Sequence, residues 1–293
     1  MSYGIQPTTE HVYFGSSQIE NPNQLDWRLF TDFNQNNIPS ATIPTEGANF
    51  HCFTASGGSI TNNSSTLFTG VGVTLCSGVI SVSTGGTNNA TGYATVQTNT
   101  STIPGIPVPL AGQVTKYEFE TLIKTGTVIH SNSVRGVFRL GFFDNAGFTT
   151  VGDSAGLGPH FKFLCDGTTT HTTWNVFFGD GTANFATIDT GVTVSTSTIY
   201  RMYLSVEVDS AGTYTTTYKI KNITTGTNTE GIASPPSSAY YPASGYGSAA
   251  AMGAGIFNGK SNVTATLTPV PITVDYMFVR IRRPMSREIL IFS

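Results

Sequence analysis

Short runs of alternating apolar and polar residues follow one another from residue 50 onward, and turn-forming dipeptides separate them. The dipeptides are Gly-Gly at 57–58 and 85–86, Asp-Gly at 166–167 and 180–181, and Asn-Gly at 258–259. Such pairs supply the positive-φ residues that tight turns need. Apolar residues do not recur at the i, i+3, i+4 spacing of an amphipathic helix. The pattern therefore predicts an all-β chain with many short strands, as in a sandwich or barrel.

Strands are predicted wherever this alternation continues between two turn signals. Their ranges are 50–54, 72–83, 91–97, 115–124, 135–143, 160–165, 173–178, 199–208, 213–221, 251–257 and 272–281. Two stretches are predicted to be ordered surface loops. Residues 56–65 are rich in Ser, Gly and Thr, and residues 234–247 are rich in Ser, Pro and Tyr.

One hairpin can be predicted in register. In residues 200–208 the even positions are apolar and the odd positions mostly polar, which is typical of a half-buried antiparallel strand. A three-residue loop with Gly212 in the left-handed conformation pairs Val208 with Tyr214 and Leu204 with Tyr218. This register places both apolar sets on one face, whereas a two-residue loop would place them on opposite faces.

Charged residues make up only 11% of the chain, against about 25% in an average soluble domain. Coiled coils and helical bundles need far more Ala, Glu, Lys and Leu, so both classes are excluded. The net charge of −3 argues against a nucleic-acid-binding protein. No apolar run is long enough for a transmembrane helix, and the 19 Phe and 12 Tyr residues supply a sizeable core. Residues 1–12 lack the basic and apolar segments of a secretory signal.

The potential metal ligands are scattered. The three cysteines, Cys52, Cys76 and Cys165, are odd in number and far apart, so we expect buried reduced thiols. The five histidines show no metal-binding spacing.

Loop residues that could together bind calcium are Asp144, Asn145, Asp153 and Asp180, but they lack EF-hand spacing. We predict neither a metal nor a cofactor.

Two parts of the sequence resemble concanavalin A-like jelly-roll proteins. Residues 200–225 begin with Tyr-Arg, turn at 209–212 and reach Asn222, and residues 272–282 contain Val-Asp-Tyr. The resemblance implies an antiparallel β-sandwich over residues 46–283, with an N-terminal extended arm at 1–45 and a short apolar tail at 284–293. The Thr-, Gly- and Asn-rich texture is also similar to structural proteins of tailed bacteriophages.

The phage resemblance implies a non-enzymatic virion structural protein that decorates the capsid or forms a head fibre. Such a protein is synthesised in the host cytoplasm without a signal peptide and is found in the virion. We expect a homo-oligomer, with a trimer as first guess, because most oligomers have closed symmetry. The expected partners are other copies of the chain and a capsid or tail protein, with no nucleic acid and no membrane.

The predicted interface combines the arm with the C-terminal segment. Its residues are Trp27, Phe30, Arg280, Arg282, Arg283, Arg287, Ile289, Leu290, Ile291 and Phe292. Pro284 is expected to end the last strand. The arm either lies across its own domain or reaches a neighbouring subunit. The apolar tail either packs on its own sandwich or docks onto a partner, with the arginines pairing with partner carboxylates.

A carbohydrate- or receptor-binding module of a tail fibre is the first alternative, with a host surface glycan as the ligand. Tyr240, Tyr241 and Tyr246 in the 234–247 loop, or Trp174, would then stack on sugar rings. The same loop could equally pack on its own sandwich.

A polysaccharide-cleaving enzyme is the second alternative. It would use Glu118 and Glu120, which share one strand face, as its two carboxylates. Laminarinase-type relatives have a third acid on this strand, but Leu122, Ile123 and Lys124 follow Glu120 here, so a solvent-facing role is preferred. Glu207 and Asp209 have the same spacing, and Asp209 is predicted to cap the turn. We therefore predict no catalytic residues.

Overall fold

The computed structural model describes residues 11–14, 24–31, 51–55, 57–63, 79–86, 92–97, 115–144, 158–179, 185–233, 252–260 and 268–284. It gives backbone alone for 11–14 and 24–31 and for single strand residues at 51, 53, 55, 62, 63, 97, 115, 144, 252, 283 and 284. Within these ranges the chain forms strands, turns and irregular segments but no helix. In the same ranges no helix is therefore long and apolar enough to cross a membrane.

Sixteen strands are present in the described residues. They are β1 (His11–Phe14), β2 (Gln24–Thr31), β3 (His51–Ala55), β4 (Ser59–Asn63), β5 (Val79–Ser83), β6 (Tyr93–Gln97), β7 (Thr115–Thr125), β8 (Gly136–Asp144), β9 (His160–Cys165), β10 (Thr173–Gly179), β11 (Phe185–Thr193), β12 (Ile199–Val208), β13 (Tyr214–Asn222), β14 (Thr227–Ile232), β15 (Met252–Lys260) and β16 (Pro271–Pro284).

The strands form two antiparallel sheets. The nine-stranded sheet runs β1-β2-β16-β7-β12-β13-β14, and β5 and β4 continue it from the first half of β16. The seven-stranded sheet runs β11-β10-β9-β8-β15-β6-β3. The main core fills the space between the sheets, where alternate residues of strands such as β7, β10, β12 and β16 point inward. The predicted all-β sandwich is confirmed.

Each of the eleven predicted strands overlaps an observed strand, although residues 72–78 lie outside the described part. Five strands were not predicted: β1, β2, β4, β11 and β14. Strands β11 and β14 form sheet edges and are mostly exposed. Strand β14 is polar and has no apolar alternation, whereas β11 does alternate, with Ala186, Ile188 and Val192 packed against the core, and the prediction missed it. Strand β4 lies in the 56–65 stretch, which was wrongly predicted to be a loop throughout.

The N-terminal segment contributes to the sandwich. Strand β2 pairs with β16 of the same chain from Met277 opposite Thr31 to Pro284 opposite Gln24. Strand β1 then pairs with β2 at the end of the sheet. Strand β16 ends at Pro284 as predicted.

The β12–β13 hairpin has the predicted register. Val208 lies opposite Tyr214 and Leu204 opposite Tyr218. Gly212 has φ of 81°, and the Asp209 amide donates to the Thr213 carbonyl at 3.0 Å, so the loop has three residues. The Asp209 carboxylate accepts from the backbone amides of Ala211 and Thr213 at 2.9 and 2.8 Å, which is the predicted capping role.

The Asn-Gly pair at 258–259 is not a turn, contrary to prediction. It lies inside β15, where both residues pair with β6 and β8. The buried Asn258 side chain accepts a hydrogen bond from His130 Nε2 at 3.0 Å and donates to the carbonyls of Val82 and Val270 at 2.9 and 2.7 Å. These bonds satisfy the amide and link strand β5 of one sheet to strand β15 of the other, which explains why an asparagine is tolerated there.

The outward side of β8, β9, β10 and β15, strands of the seven-stranded sheet, is also buried. Arg139 and Lys162 are cross-strand neighbours with no exposed surface. The Arg139 guanidinium carbon lies 5.3 Å from the centre of the Phe257 ring, and Lys162 Nζ lies 4.2 Å from that of Phe177. Burial, followed by the charges of Arg139 and Lys162, holds the pKa of His160 well below its usual value.

The cysteines that the structure describes, Cys52 and Cys165, are buried thiols, as predicted. Burial raises the pKa of Cys165 to about 11, so this thiol is in its unreactive neutral form at neutral pH. Cys76 lies outside the described residues.

Candidate functional site: the charged face of the nine-stranded sheet

Charged and aromatic side chains cover the outward side of β7, β12, β13 and β16. We call this surface the charged face; its members are Lys116, Glu118, Glu120, Arg201, Tyr203, Lys219, Lys221, Tyr276, Arg280 and Arg282. Strand alternation places Glu118 and Glu120 outward because Tyr117 and Phe119 point into the core. The strand face predicted for the two glutamates is therefore confirmed.

A bulge in β16 determines which of its side chains join this face. The pairing with β7 shifts by one residue between Val274 and Tyr276. Val274 points into the core, and strict alternation would send Tyr276 inward as well. The extra residue instead turns Tyr276, Arg280 and Arg282 outward.

Glu118 is the centre of an ion-pair cluster. Its Oε1 accepts a hydrogen bond from the Tyr203 hydroxyl at 2.7 Å, and its Oε2 accepts one from Arg282 Nη2 at 3.1 Å. Arg280 Nη1 and Lys116 Nζ each lie 3.7 Å from a Glu118 oxygen. Only 11% of the Glu118 side chain is exposed, since these neighbours cover it. Burial, and then the bond to Glu118, raises the pKa of Tyr203 to about 12, so the phenol remains a donor.

Glu120 has a similar set of partners. Its Oε1 lies 2.6 Å from both Nε and Nη2 of Arg201 and accepts a hydrogen bond from the Tyr276 hydroxyl at 2.5 Å. Burial and the bond to Glu120 raise the pKa of Tyr276 above its usual range. The two carboxylates thus hold side chains from three strands in fixed positions.

A groove lies beside Glu120. It encloses about 400 Å³ and is lined by Glu120, Arg201, Tyr203, Lys219, Lys221 and Asn228. The antiparallel register brings these residues together, since Tyr203 lies opposite both Glu120 and Lys219, and Lys221 lies opposite both Arg201 and Asn228. Donors, acceptors and an aromatic ring therefore converge on one solvent-accessible space.

The groove has an excess of positive charge. Arg201 is paired with Glu120, and Lys219 Nζ lies 2.9 Å from Glu230 Oε2. Lys221 is exposed and has no carboxylate partner among the described residues; its cross-strand neighbours are a guanidinium and an amide. Like charges directly opposite one another repel, so Arg201 and Lys221 leave a positive potential at this end.

Comparison with solved structures identifies the fold. An acidic winged bean lectin complexed with methyl-α-D-galactose matches with a TM-score of 0.53 and 9% identity, over 88% of this chain and 99% of that one. A basic winged bean lectin with Tn-antigen matches with a TM-score of 0.51 and 11% identity, over 88% and 98%. Peanut lectin with a nine-residue peptide matches with a TM-score of 0.50 and 12% identity, over 90% and 99%. The fold is a legume-lectin-like, concanavalin A-like jelly roll.

Sequence comparisons add nothing to this result: no family model and no curated protein sequence matches the chain. At these identities the solved structures establish the fold alone. The expected jelly-roll class is confirmed by the structural similarity.

Trp174 does not lie at a surface where it could stack on a sugar. It is fully buried between the sheets, with ring centres 6.0 Å from Phe163 and 5.9 Å from Tyr200. The alternation of β10 directs it into the core together with Val176 and Phe178. Its predicted ligand-binding role is therefore wrong. Tyr240, Tyr241 and Tyr246 lie outside the described residues, so their role stays a prediction.

The predicted interface residues lie in several places. Arg280 and Arg282 contact Glu118 of their own chain. The backbone positions of Arg283, Trp27 and Phe30 lie in the β16–β2 pairing. Those outside the described residues are Arg287, Ile289, Leu290, Ile291 and Phe292.

No group of three His, Cys, Asp or Glu side chains in the described part of the chain could hold a metal ion. The loop residues considered for calcium are not available for this test: Asn145, Asp153 and Asp180 lie outside the described residues, and Asp144 is described by backbone alone.

Sequence reasoning missed the groove residues Arg201, Tyr203, Lys219, Lys221 and Asn228. A usable signal was present for four of them. The predicted hairpin register already placed Arg201 opposite Lys221 and Tyr203 opposite Lys219. Strand β14, which carries Asn228, was not predicted, and Glu120 reaches the groove only through the long-range pairing of β7 with β12.

Proposed function

We propose that the protein is a non-enzymatic glycan-binding protein that uses the groove beside Glu120. The observation that carries the proposal is the convergence of Glu120, Arg201, Tyr203, Lys221 and Asn228 on about 400 Å³ of accessible space. Sugars present many hydroxyls, which need both donors and acceptors at fixed positions. An arginine, an ammonium group, an amide and a carboxylate supply them.

The groove is also preorganised. Arg201 is anchored to Glu120 by two nitrogen atoms, and Tyr203 donates its hydroxyl hydrogen to Glu118. Side chains already held in place lose little conformational entropy when a ligand binds. Two of the similar lectins are described in complex with methyl-α-D-galactose and Tn-antigen, which supports carbohydrate binding as the first class to test.

Catalysis is not part of this proposal. A glycosidase needs two carboxylates that reach the glycosidic bond. Both oxygens of Glu118 accept hydrogen bonds from Tyr203 and Arg282, and Oε1 of Glu120 is held by Arg201 and Tyr276. We therefore expect no turnover of polysaccharides by the full chain and no difference for Glu120→Gln. Release of reducing sugar that Glu120→Gln abolishes would establish the enzyme instead.

The test of glycan binding is a glycan array probed with the full-length chain, followed by titration of the best ligand. Asn228→Ala removes one amide from the groove and is expected to weaken binding about fivefold or more, the effect of one hydrogen bond. Thr227→Ala is the matched control, because this exposed neighbour on β14 points to the other side of the sheet. Equal affinities for both variants, or no glycan bound at all, would contradict the proposal.

The second candidate is the virion structural role, either alone or combined with glycan binding. The low charge content and the Thr- and Gly-rich composition favour it, as does the pairing of β2 with β16. An N-terminal strand that pairs with its own sheet can also pair with the same sheet of a neighbour.

Native mass measurement of the full chain tests this role, with a closed homo-oligomer expected. Deletion of residues 285–293 is expected to abolish assembly and leave the fold intact. An unchanged oligomer after the deletion would contradict docking through the tail.

A further inference from the structure

We propose that the groove selects acidic glycans, binding the carboxylate of a sugar acid between Lys221 and Arg201. This inference rests on the proposed glycan-binding function and specifies its ligand. The groove lies on the outward side of the nine-stranded sheet. Its lining residues in the described part of the chain come from β7, β12, β13 and β14.

The charge balance of the groove supports this choice. Three cations line the groove, Arg201, Lys219 and Lys221, together with one carboxylate, that of Glu120. Glu120 forms an ion pair with Arg201, and Lys219 Nζ lies 2.9 Å from Glu230 Oε2. One positive charge, that of Lys221, is left for a ligand.

The arrangement around Lys221 also favours an anion. Its neighbour on β12 is Arg201 and its neighbour on β14 is Asn228. Two cations in directly opposed positions repel each other, and an anion between them removes this repulsion. Arg201 uses Nε and Nη2 for Glu120, so Nη1 can still donate to a ligand. More than half of the Arg201 side chain, 55%, is exposed and accessible.

The remaining lining residues suit the rest of a sugar ring. Asn228 can donate to and accept from hydroxyl groups, and Glu120 Oε2 can accept from one because Arg201 and Tyr276 both contact Oε1. Glu120 would also repel a second carboxylate placed at its end of the groove. The groove therefore accommodates one acidic sugar, with its carboxylate at the Lys221 end and its hydroxyls towards Glu120.

The probes are glycan pairs that differ only in charge: sialylated, uronic-acid and sulfated oligosaccharides, each beside its neutral parent, on an array with the full-length chain. We expect binding to acidic members with at least about tenfold preference over the neutral parents. We also expect this binding to weaken as the salt concentration rises from about 0.05 to 0.5 M, because exposed charges are screened.

Variants locate the interaction. Lys221→Gln removes the charge but keeps an N–H donor, and it is expected to lower affinity for the acidic ligand about tenfold and affinity for the neutral parent much less. Lys221→Arg keeps the charge and should restore most of the affinity. Arg135→Gln is the control for net charge, because Arg135 lies in the loop between β7 and β8, away from the groove.

The outcomes separate this inference from the proposed function. Equal binding of acidic and neutral glycans, or a preference that Lys221→Gln leaves unchanged, would refute the acidic selectivity and retain glycan binding. No binding to any glycan would refute both. Salt-sensitive binding to an acidic protein surface in place of glycans would assign the positive groove to a protein partner and also overturn the inference.

Discussion

Protonation of His130 is predicted to destabilise the folded protein in mild acid. His130 is buried, with 1% of its surface exposed, and its Nε2 donates to Asn258 Oδ1 at 3.0 Å. Burial lowers the pKa of His130 from 6.5 to about 4; the bond to Asn258 opposes this shift, and the charge of Lys260 adds to it. The unfolded chain therefore binds a proton at a higher pH than the folded protein does.

The sign and size follow from proton linkage. At pH 7.5 His130 is neutral in both the folded and the unfolded state, so it does not change the free energy of unfolding. Because its pKa is depressed in the folded state, only the unfolded state binds a proton as the pH falls below 6.5, and the free energy of unfolding decreases. With pKa values of 6.5 unfolded and about 4 folded, the free energy of unfolding falls by about 2 kcal/mol at pH 5 and by about 3 kcal/mol at pH 4. Below pH 4 both states bind the proton, and the loss stays constant.

Urea unfolding at several pH values between 7.5 and 4.5 measures this contribution. Other groups titrate in the same range, His160 among them, so the wild type alone cannot isolate His130. His130→Gln keeps an amide donor for Asn258 but has no ionisable ring. The difference in unfolding free energy between wild type and His130→Gln should shift by about 2 kcal/mol in favour of the variant between pH 7.5 and 5. A constant difference across this range would refute the reasoning.

Three further substitutions test the fold and the charged face by urea unfolding at pH 7.5. Gly212→Ala should lower the free energy of unfolding by about 1 kcal/mol, since φ of 81° is unfavourable for a residue with a side chain. An unchanged urea midpoint would contradict the loop geometry. Gly136→Ala should lower the free energy of unfolding by about 3 kcal/mol or prevent folding, because the added methyl would lie 2.2 Å from the His130 ring and 2.4 Å from the Gly259 carbonyl oxygen. A free energy of unfolding equal to that of the wild type would show that the neighbouring atoms move apart to admit the methyl group. Glu118→Ala should lower the free energy of unfolding by about 2 kcal/mol more than Glu118→Gln, which can still accept from Tyr203; equal losses would show that the hydrogen bond from Tyr203 adds little stability.

The sandwich and the β12–β13 hairpin could be predicted because their signals are local. Alternation in residues 200–208, the Asp209 cap and Gly212 all indicate the same register, and the structure has it. Edge strand β14 carries no such signal, since its residues are polar and neither of its faces is fully buried. Local reasoning also read Asn258-Gly259 as a turn, whereas three distant partners hold Asn258 inside a strand.

The charged face could be predicted only in part. The spacing of Glu118 and Glu120 placed both on one strand face, but their partners come from far along the chain. Arg282 is separated from Glu118 by 164 positions, and Tyr276 from Glu120 by 156. The β16 bulge that brings these partners outward leaves only a weak sign in the sequence, a change in the spacing of the apolar core residues between Val274 and Met277.

The groove divides into two parts with different physical tasks. Arg201, Lys219 and Lys221 come from one hairpin and are exposed, so they can meet a ligand. Glu120 and its partner Tyr276 come from the long-range pairing of β7 with β16 and are more deeply covered, so they fix the position of Arg201. Exposed charges contribute little to folding, whereas breaking a covered, hydrogen-bonded cluster is costly. Substitutions at Lys221 should therefore change affinity with little effect on stability, and substitutions at Tyr276 should lower stability as well as affinity. This separation distinguishes a preorganised binding surface from a set of ion pairs that serve the fold alone.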